Sequence, residues 1–340
     1  MTQAAVEPAI GKGARWSHAG GRAVLRSLRE LALLPAIAVL MVVGIVSSPA
    51  FFTTANLTNT AQGSAALGMV VVAETLILLT GSFDLSLQSI YGLAPMVGAW
   101  LIVGTDGHGL GTEWSPAVGI LVTLGIGAAV GLFNGVMIVK LRFNAFIFTL
   151  AMLILLAGIQ QGIVSGQSVY NMPSSFVYLG SAYWLGFPVS AWVTIAVFIV
   201  AGILLRYHRM GRAVYAIGGN LEAARAAGIK VDRVRIGVYC VAGVLAAIGG
   251  LMTAGQVLTV TANQGNNLIF TVFAAAVIGG IALEGGRGRM LGAFTGVVLL
   301  GMVNDVLVLR NTSTFWIDAV NGAIILIALG LARIVALVRA

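Results

Sequence analysis

The feature that most constrains this chain is a succession of apolar runs, each close to twenty residues long and separated by short polar stretches. A helix rises about 1.5 Å per residue, so roughly 20 residues cross the ~30 Å hydrocarbon core of a bilayer. Ten such runs fall at 31–48, 63–81, 85–104, 116–140, 144–165, 187–206, 233–255, 267–284, 288–309 and 315–337. Charged residues make up only 9% of the 340 positions, against about 25% in a soluble domain. So few charges cannot wet the surface of a globule, and the mean hydropathy of +1.00 says the same. The expected fold is all-α, a polytopic transmembrane helical bundle of about ten spans. Residues 1–30 are expected to form a cytoplasmic N-terminal tail, with no clear small-residue cleavage site after them, and 31–340 the membrane domain.

The net charge of +8 is explained by orientation. With both termini in the cytoplasm, ten spans put every Lys and Arg except Arg310, of 19 in all, on the cytoplasmic side, which is the positive-inside bias. That removes the need to invoke nucleic acid. The segments expected outside, 49–62, 105–115, 166–186 and 256–266, are rich in Ser, Thr, Asn, Gln and Gly, with Trp114 and Trp184 at interfacial positions. The lone Cys240 supports no disulfide framework, and His18, His108 and His208 lie far apart with no metal-ligand spacing.

Within the spans, Gly125, Gly127, Gly131 and Gly135 are spaced for close helix packing in lipid. TGSFDLSLQSIYGLAPMVGAWLIVG (80–104) loosely echoes GGIALEGGRGRMLGAFTGVVLLG (279–301), each a Gly-rich polar turn running into a small-residue helix. Such repeats, with interrupted helices, are common in transporters. Ionisable residues inside spans are functional candidates by default. Glu74 is mid-span, a buried structural acid or a lining of a solute path. Asp84 opens a helix ahead of Ser86, as a cap or a gating turn. Asp305 and Asp318 lie near outer span ends, solvated or paired with Arg310. Asn134, Gln160, Gln161, Asn304 and Asn321 can bond between helices or to a polar solute, and Phe143 and Phe146 can pack or stack on one. No Gly-x-x-x-x-Gly-Lys-Ser/Thr loop occurs, so the chain itself is not expected to hold ATP or Mg²⁺, nor any other cofactor.

The longest basic stretch between spans is 206–235. In it Asn220 is a good N-cap, Glu222 suits the first turn, and Gly228 suits a C-terminal stop, giving a helix over 221–227. A helix this short needs something to dock it. Ala223, Ala224, Ala226 and Ala227 are expected to present methyl groups to a partner, with Glu222 and Arg225 three residues apart and able to pair.

Four stretches carry a family resemblance. YAIGGNLEAARAAGIKVDRVRIGVY (215–239) resembles the ATPase-coupling segment of sugar-type permeases of ATP-binding-cassette importers, of the ribose, xylose and galactose kind. LILLTGSFDLSLQSIYGL (76–93) is similar to that family's Asp-Leu-Ser turn, with Ser82 and Gln88 where it often has glycine. GLFNGVMIVKLRFNAFIFTLAMLILLAGI (131–159) resembles its fourth and fifth helices, and FAAAVIGGIALEGGRGRMLGAFTGVVLLGMVND (273–305) its late Gly-Gly turn. The resemblance implies a permease in a bacterial cytoplasmic membrane. It implies a second permease subunit, separate ATPase subunits that use ATP and Mg²⁺, and an extracytoplasmic solute-binding protein. It assigns coupling to Gly218, Asn220, Glu222, Ala223, Ala224, Arg225 and Gly228, and gating turns to Asp84, Ser86, Gly285 and Gly286; the residues within spans offer Glu74, Asn134, Phe146 and Asn304 as a solute path. The alternatives are an ion-coupled transporter using Glu74, a permease for a branched-chain amino acid or nucleoside, and a non-transporting scaffold. The topology is testable in intact cells, with single cysteines in a Cys240→Ala background. A membrane-impermeant thiol reagent is expected to label 166–186 and spare 206–235; labelling of 206–235 sinks the assignment.

Overall fold

The computed structural model describes residues 33–337, and among these the secondary structure is almost entirely helical. Helices α1 (Leu34–Ser47), α2 (Thr54–Leu79), α3 (Leu87–Ile102), α4 (Pro116–Val139) and α5 (Ala145–Ile163) are followed by the short α6 (Ser174–Ser181). A two-stranded hairpin, β1 (Tyr183–Trp184) with β2 (Phe187–Pro188), leads into α7 (Val189–Tyr207). Then come α8 (Arg209–Gly219), α9 (Leu221–Ala226), α10 (Val231–Val257), α11 (Leu268–Ile278), α12 (Met290–Leu309) and α13 (Thr314–Leu337).

Six helices, α2, α4, α5, α7, α10 and α12, are long and apolar enough to cross a membrane among the described residues. The fold is therefore that of an all-α, multi-pass membrane protein. Three of the expected spans are shorter as helices than read. The run 31–48 yields 14 residues, 85–104 yields 16 and 267–284 only 11. At 1.5 Å per residue, α11 reaches about 16 Å, half of the hydrocarbon depth. For the last two the reason lies in the turns at 80–86 and 279–289, which break the apolar runs.

The span read at 63–81 begins earlier as a helix, within the polar stretch 49–62. α2 begins at Thr54, capped by Thr53, whose side chain accepts from Asn56 N. The hydroxyls of Thr58 and Thr60 bond back to Thr54 O and Asn56 O at 2.9 Å. A polar helix turn can so satisfy its side chains on its own backbone. Of the other segments expected outside, 166–186 and 256–266 meet through the antiparallel pair Val169–Val260, with both N–H···O distances 2.9 Å.

α2 is the centre of the bundle. From Ala65 to Leu79 every residue except Leu76 is buried. A helix buried all round is one surrounded by other helices, and here α7, α10, α11 and α12 surround it. α10 packs on α4 through glycine. A Cβ on Gly127 would collide with Gly243 O, and one on Gly131 with Tyr239 O, so the two backbones touch. Gly125, read with the same set, has open space beside it and takes no part. Gly131→Leu is expected to lower stability by about 1–3 kcal/mol, the usual cost of overpacking. Gly125→Leu should leave the thermal midpoint in detergent unchanged, and equal effects at both positions would refute the packing assignment.

Candidate transport and coupling site

The entry to α3 is irregular and wholly buried. Asp84, Ser86 and Glu74 have no exposed surface. Asp84 Oδ1 accepts from Ser86 N at 2.9 Å and from Ser86 Oγ at 2.6 Å, a turn in which the side chain holds its own backbone two residues on. Asn134 of α4 donates through Nδ2 to Ser86 Oγ at 2.8 Å and to Asp84 Oδ2 at 3.4 Å. Leu85 N donates to Thr149 Oγ1 of α5 at 3.1 Å. Glu74 of α2 reaches the same turn, its Oε1 accepting from Asp84 N at 3.5 Å. Glu74 Oε2 and Asn134 Oδ1 are buried without a partner among the described residues. The cluster therefore ties α2, α4 and α5 to the start of α3.

Just below this cluster three glycine segments converge. Gly286 N donates to Leu79 O, the carbonyl at the end of α2, at 3.0 Å. A Cβ at Gly218, on the last turn of α8, would collide with Leu79 O and Gly286 N. Gly81, Gly285 and Gly286 have φ of +71°, +90° and +67°, where any other residue is strained. Tyr215 of α8 donates its hydroxyl to Gly288 O at 2.8 Å. The two turns that echo each other in sequence thus pack directly together, with the end of α8 between them. On the other side of the 80–86 turn, Tyr239 of α10 bonds Ser82 Oγ at 2.6 Å and Phe83 O at 3.0 Å, and Arg235 donates to Ser82 Oγ at 3.3 Å.

α9 starts three residues after Gly218. Asn220 caps it, accepting from Ala223 N at 2.9 Å, and Gly228 follows it with φ +78°. The helix ends at Ala226, one residue short of the reading. One expectation is overturned. Ala224 is 3% exposed and packs against Ile217 of α8 and Val231 of α10 in its own chain. A six-residue helix must bury one face to persist, and Ala224 is that face. Glu222, Ala223, Arg225 and Ala226 remain exposed. Arg225 pairs with Glu222 at 3.3 Å and with Asp232 at 3.8 Å.

The four solute-path candidates do not form one site. Glu74 and Asn134 converge on Asp84. Phe146 is half exposed on the first turn of α5. Asn304, half-buried on α12, precedes Asp305, which accepts from Asn56 Nδ2 at 2.8 Å. Asn56 and Glu74 stand eighteen residues apart on α2, roughly 27 Å of helix. Asp305 does not pair with Arg310, which donates to Ser47 Oγ instead at 3.0 Å; the side chain of Asp318 lies outside the described residues. Gln160 ties α5 to the 258–267 loop, donating to Thr261 O and Gln264 O at 3.3 Å. Sequence reasoning passed over Tyr239, Arg235 and Thr149. Arg235 and Tyr239 stand one helical turn apart on one face, which was the available signal.

Interrupted helices whose turns are buried against each other, beside a short docked helix, are the architecture of a membrane transport protein. Residues 56–329 match the profile of the family described as branched-chain amino acid transport system / permease component, and the chain belongs to that family. The ribose import permease protein of Escherichia coli K12 is 35% identical over 298 residues, spanning 86% of this chain and 90% of the relative. The L-arabinose transport system permease protein of the same strain is 36% identical over 304 residues, 88% and 89% of the two chains. The autoinducer 2 import system permease protein of Klebsiella pneumoniae is 36% identical over 298 residues, 88% and 84%. No solved structure is significantly similar. The Asp84 turn is the part of the site that stability measurements reach. Asp84→Ala strands the Ser86 and Asn134 donors and is expected to cost about 1–3 kcal/mol in detergent unfolding. Asp84→Asn keeps an acceptor and should cost less; equal losses would refute the hydrogen-bonding role.

Proposed function

We propose that this chain is the membrane permease subunit of an ATP-driven importer of a sugar or sugar-like solute. The observation that carries the reading is α9, a capped helix of six residues docked on its own chain through Ala224 and leaving Glu222, Ala223, Arg225 and Ala226 bare. Its base, Gly218, is wedged between the two broken-helix turns. A push on the exposed face of α9 is thereby delivered to the turns that shape the membrane domain. Separate ATPase subunits supply that push, using ATP and Mg²⁺. The permease works as a pair, receives solute from an extracytoplasmic binding protein, and crosses a bacterial inner membrane ten times with both termini inside. The sugar follows from the relatives, whose names specify ribose and arabinose. Branched-chain amino acids appear in the family description, while the relatives above import sugars or an autoinducer. An ion-coupled mechanism through Glu74 is disfavoured, because that side chain has no exposed surface and its nearest partner is the structural turn at Asp84.

The coupling role is tested on the exposed face. Ala223→Trp is expected to leave the permease folded, with an unchanged thermal midpoint, and to abolish both ATPase docking and sugar uptake in proteoliposomes. Ala224→Trp instead overfills the contact with Ile217 and Val231 and should destabilise the permease by itself, by about 1–3 kcal/mol. Normal uptake with substrate-stimulated ATPase activity in Ala223→Trp would sink the coupling assignment.

A further inference from the structure

A cavity of ≈540 Å³ opens between the 80–86 turn, the end of α4, the first turn of α5, α9 and α10. That volume is in the usual range of small-molecule sites, about 300–1,000 Å³. Its charge is one-sided. Arg142, Arg225 and Arg235 line it, and among the described residues no carboxylate does. Arg142 follows the end of α4 with φ +59° and has no ion pair among the described residues. Arg235 donates one terminal nitrogen to Ser82, but its Nε is buried with no acceptor. Arg225 holds its two acids only at 3.3 and 3.8 Å, and both of those acids lie outside the cavity lining. The remaining wall includes Phe83, Phe143 and Phe146, with Phe143 stacked on Phe148 at 5.5 Å and 21°.

Asp232 partly offsets Arg225 and Arg235 from outside the lining, which leaves Arg142 as the cation without an acid, and a buried N–H without an acceptor is a standing cost. Both are relieved by the same thing, a compact group of anionic oxygens. Guanidinium forks match carboxylate and phosphate geometry. A carboxylate offers two oxygens, whereas forks arriving from three separate elements call for more. A phosphate monoester carries three terminal oxygens and close to two negative charges at neutral pH. The phenylalanine faces suit the apolar part of whatever the phosphate is attached to.

We propose that this cavity binds a phosphate monoester, and that the bound phosphate bridges Arg225 of α9 to Arg142 and Arg235. Tying α9 to the membrane domain restrains the element that receives the ATPase, so occupancy slows transport; this consequence rests on the coupling role given to α9, whereas binding itself does not. The monoester comes either from a soluble phosphorylated sugar or from a lipid headgroup such as that of phosphatidic acid.

The test uses the full chain, purified in neutral detergent without added lipid, and calorimetry with ribose 5-phosphate, inorganic phosphate and free ribose. Ribose 5-phosphate is expected to saturate one site without competition from ribose. Arg142→Gln, a change at an exposed side chain, should keep its thermal midpoint and bind about tenfold more weakly, the worth of one charge-assisted hydrogen bond. Hydrogen exchange of the 221–226 amides should slow on binding in the wild type and not in Arg225→Gln. In nanodiscs containing phosphatidic acid, native mass spectrometry showing lipid retained in an Arg142-dependent manner, with ribose 5-phosphate excluded, assigns the same site to the headgroup and also upholds the proposal. Absence of saturable binding by either monoester overturns it, as does equal binding in Arg142→Gln. Unchanged exchange at 221–226 with the ligand bound overturns the bridge. Loss of ATPase docking in Arg142→Gln, with no phosphate bound by the wild type, reassigns the arginines to the ATPase and overturns the proposal too. A failure of the uptake assays leaves the binding result standing, so the two readings fail separately.

Discussion

The bond from Gly286 N–H to the Leu79 carbonyl, at 3.0 Å, is the contact around which the membrane domain is organised. A helix leaves its last carbonyls unpaired, and each needs a partner. Ile77 O and Leu78 O are met locally by Thr80 N and Gly81 N. Leu79 O is met from the far half of the chain. The approach succeeds only where side chains are absent, which is why Gly81, Gly218, Gly285 and Gly286 sit together. The break at 80–86 and the break at 279–289 are therefore one structural solution reached from two sides, and the loose echo between 80–104 and 279–301 gains a physical meaning.

The buried polar cluster on the other flank of the same turn follows the same logic. Asp84 and Thr149 accept from the backbone N–H groups of Ser86 and Leu85, and Asn134 of α4 donates to the side chains of Asp84 and Ser86. In low-dielectric surroundings such bonds are strong and their loss is expensive. The turn is then held rigidly to α4 and α5 above and to α8 below. α9, attached to α8, shares that rigidity. Ser82 and Gln88, which stand where related permeases often have glycine, are both used: Ser82 Oγ meets Tyr239 and Arg235, and Gln88 Oε1 accepts from Ile269 N at 3.3 Å.

Much of the frame was legible in the residues. The runs that became α4, α5, α7, α10 and α12 are long and uninterrupted, so apolar length alone located them. Asn220 and Gly228 marked the ends of α9 because capping is local chemistry between neighbours. The start of α2 was misplaced because Asn56, Thr58 and Thr60 read as polar loop, while in the fold their side chains turn back on the helix or onto Asp305. Ala224 was misread for a different reason: four alanines in a short helix look equivalent until a neighbour chooses one. The polar path candidates were credible one by one, and only the positions of Asn56 and Glu74 along α2 separate them.

The sequence by itself determined the solvent, the helical class and the family, because each rests on composition or on motifs of consecutive residues. The tertiary structure decided which apolar runs stay whole, which face of α9 is free, and that three arginines from separate elements share one cavity. Those outcomes depend on contacts between residues tens to hundreds of positions apart, and no local pattern encodes such a meeting.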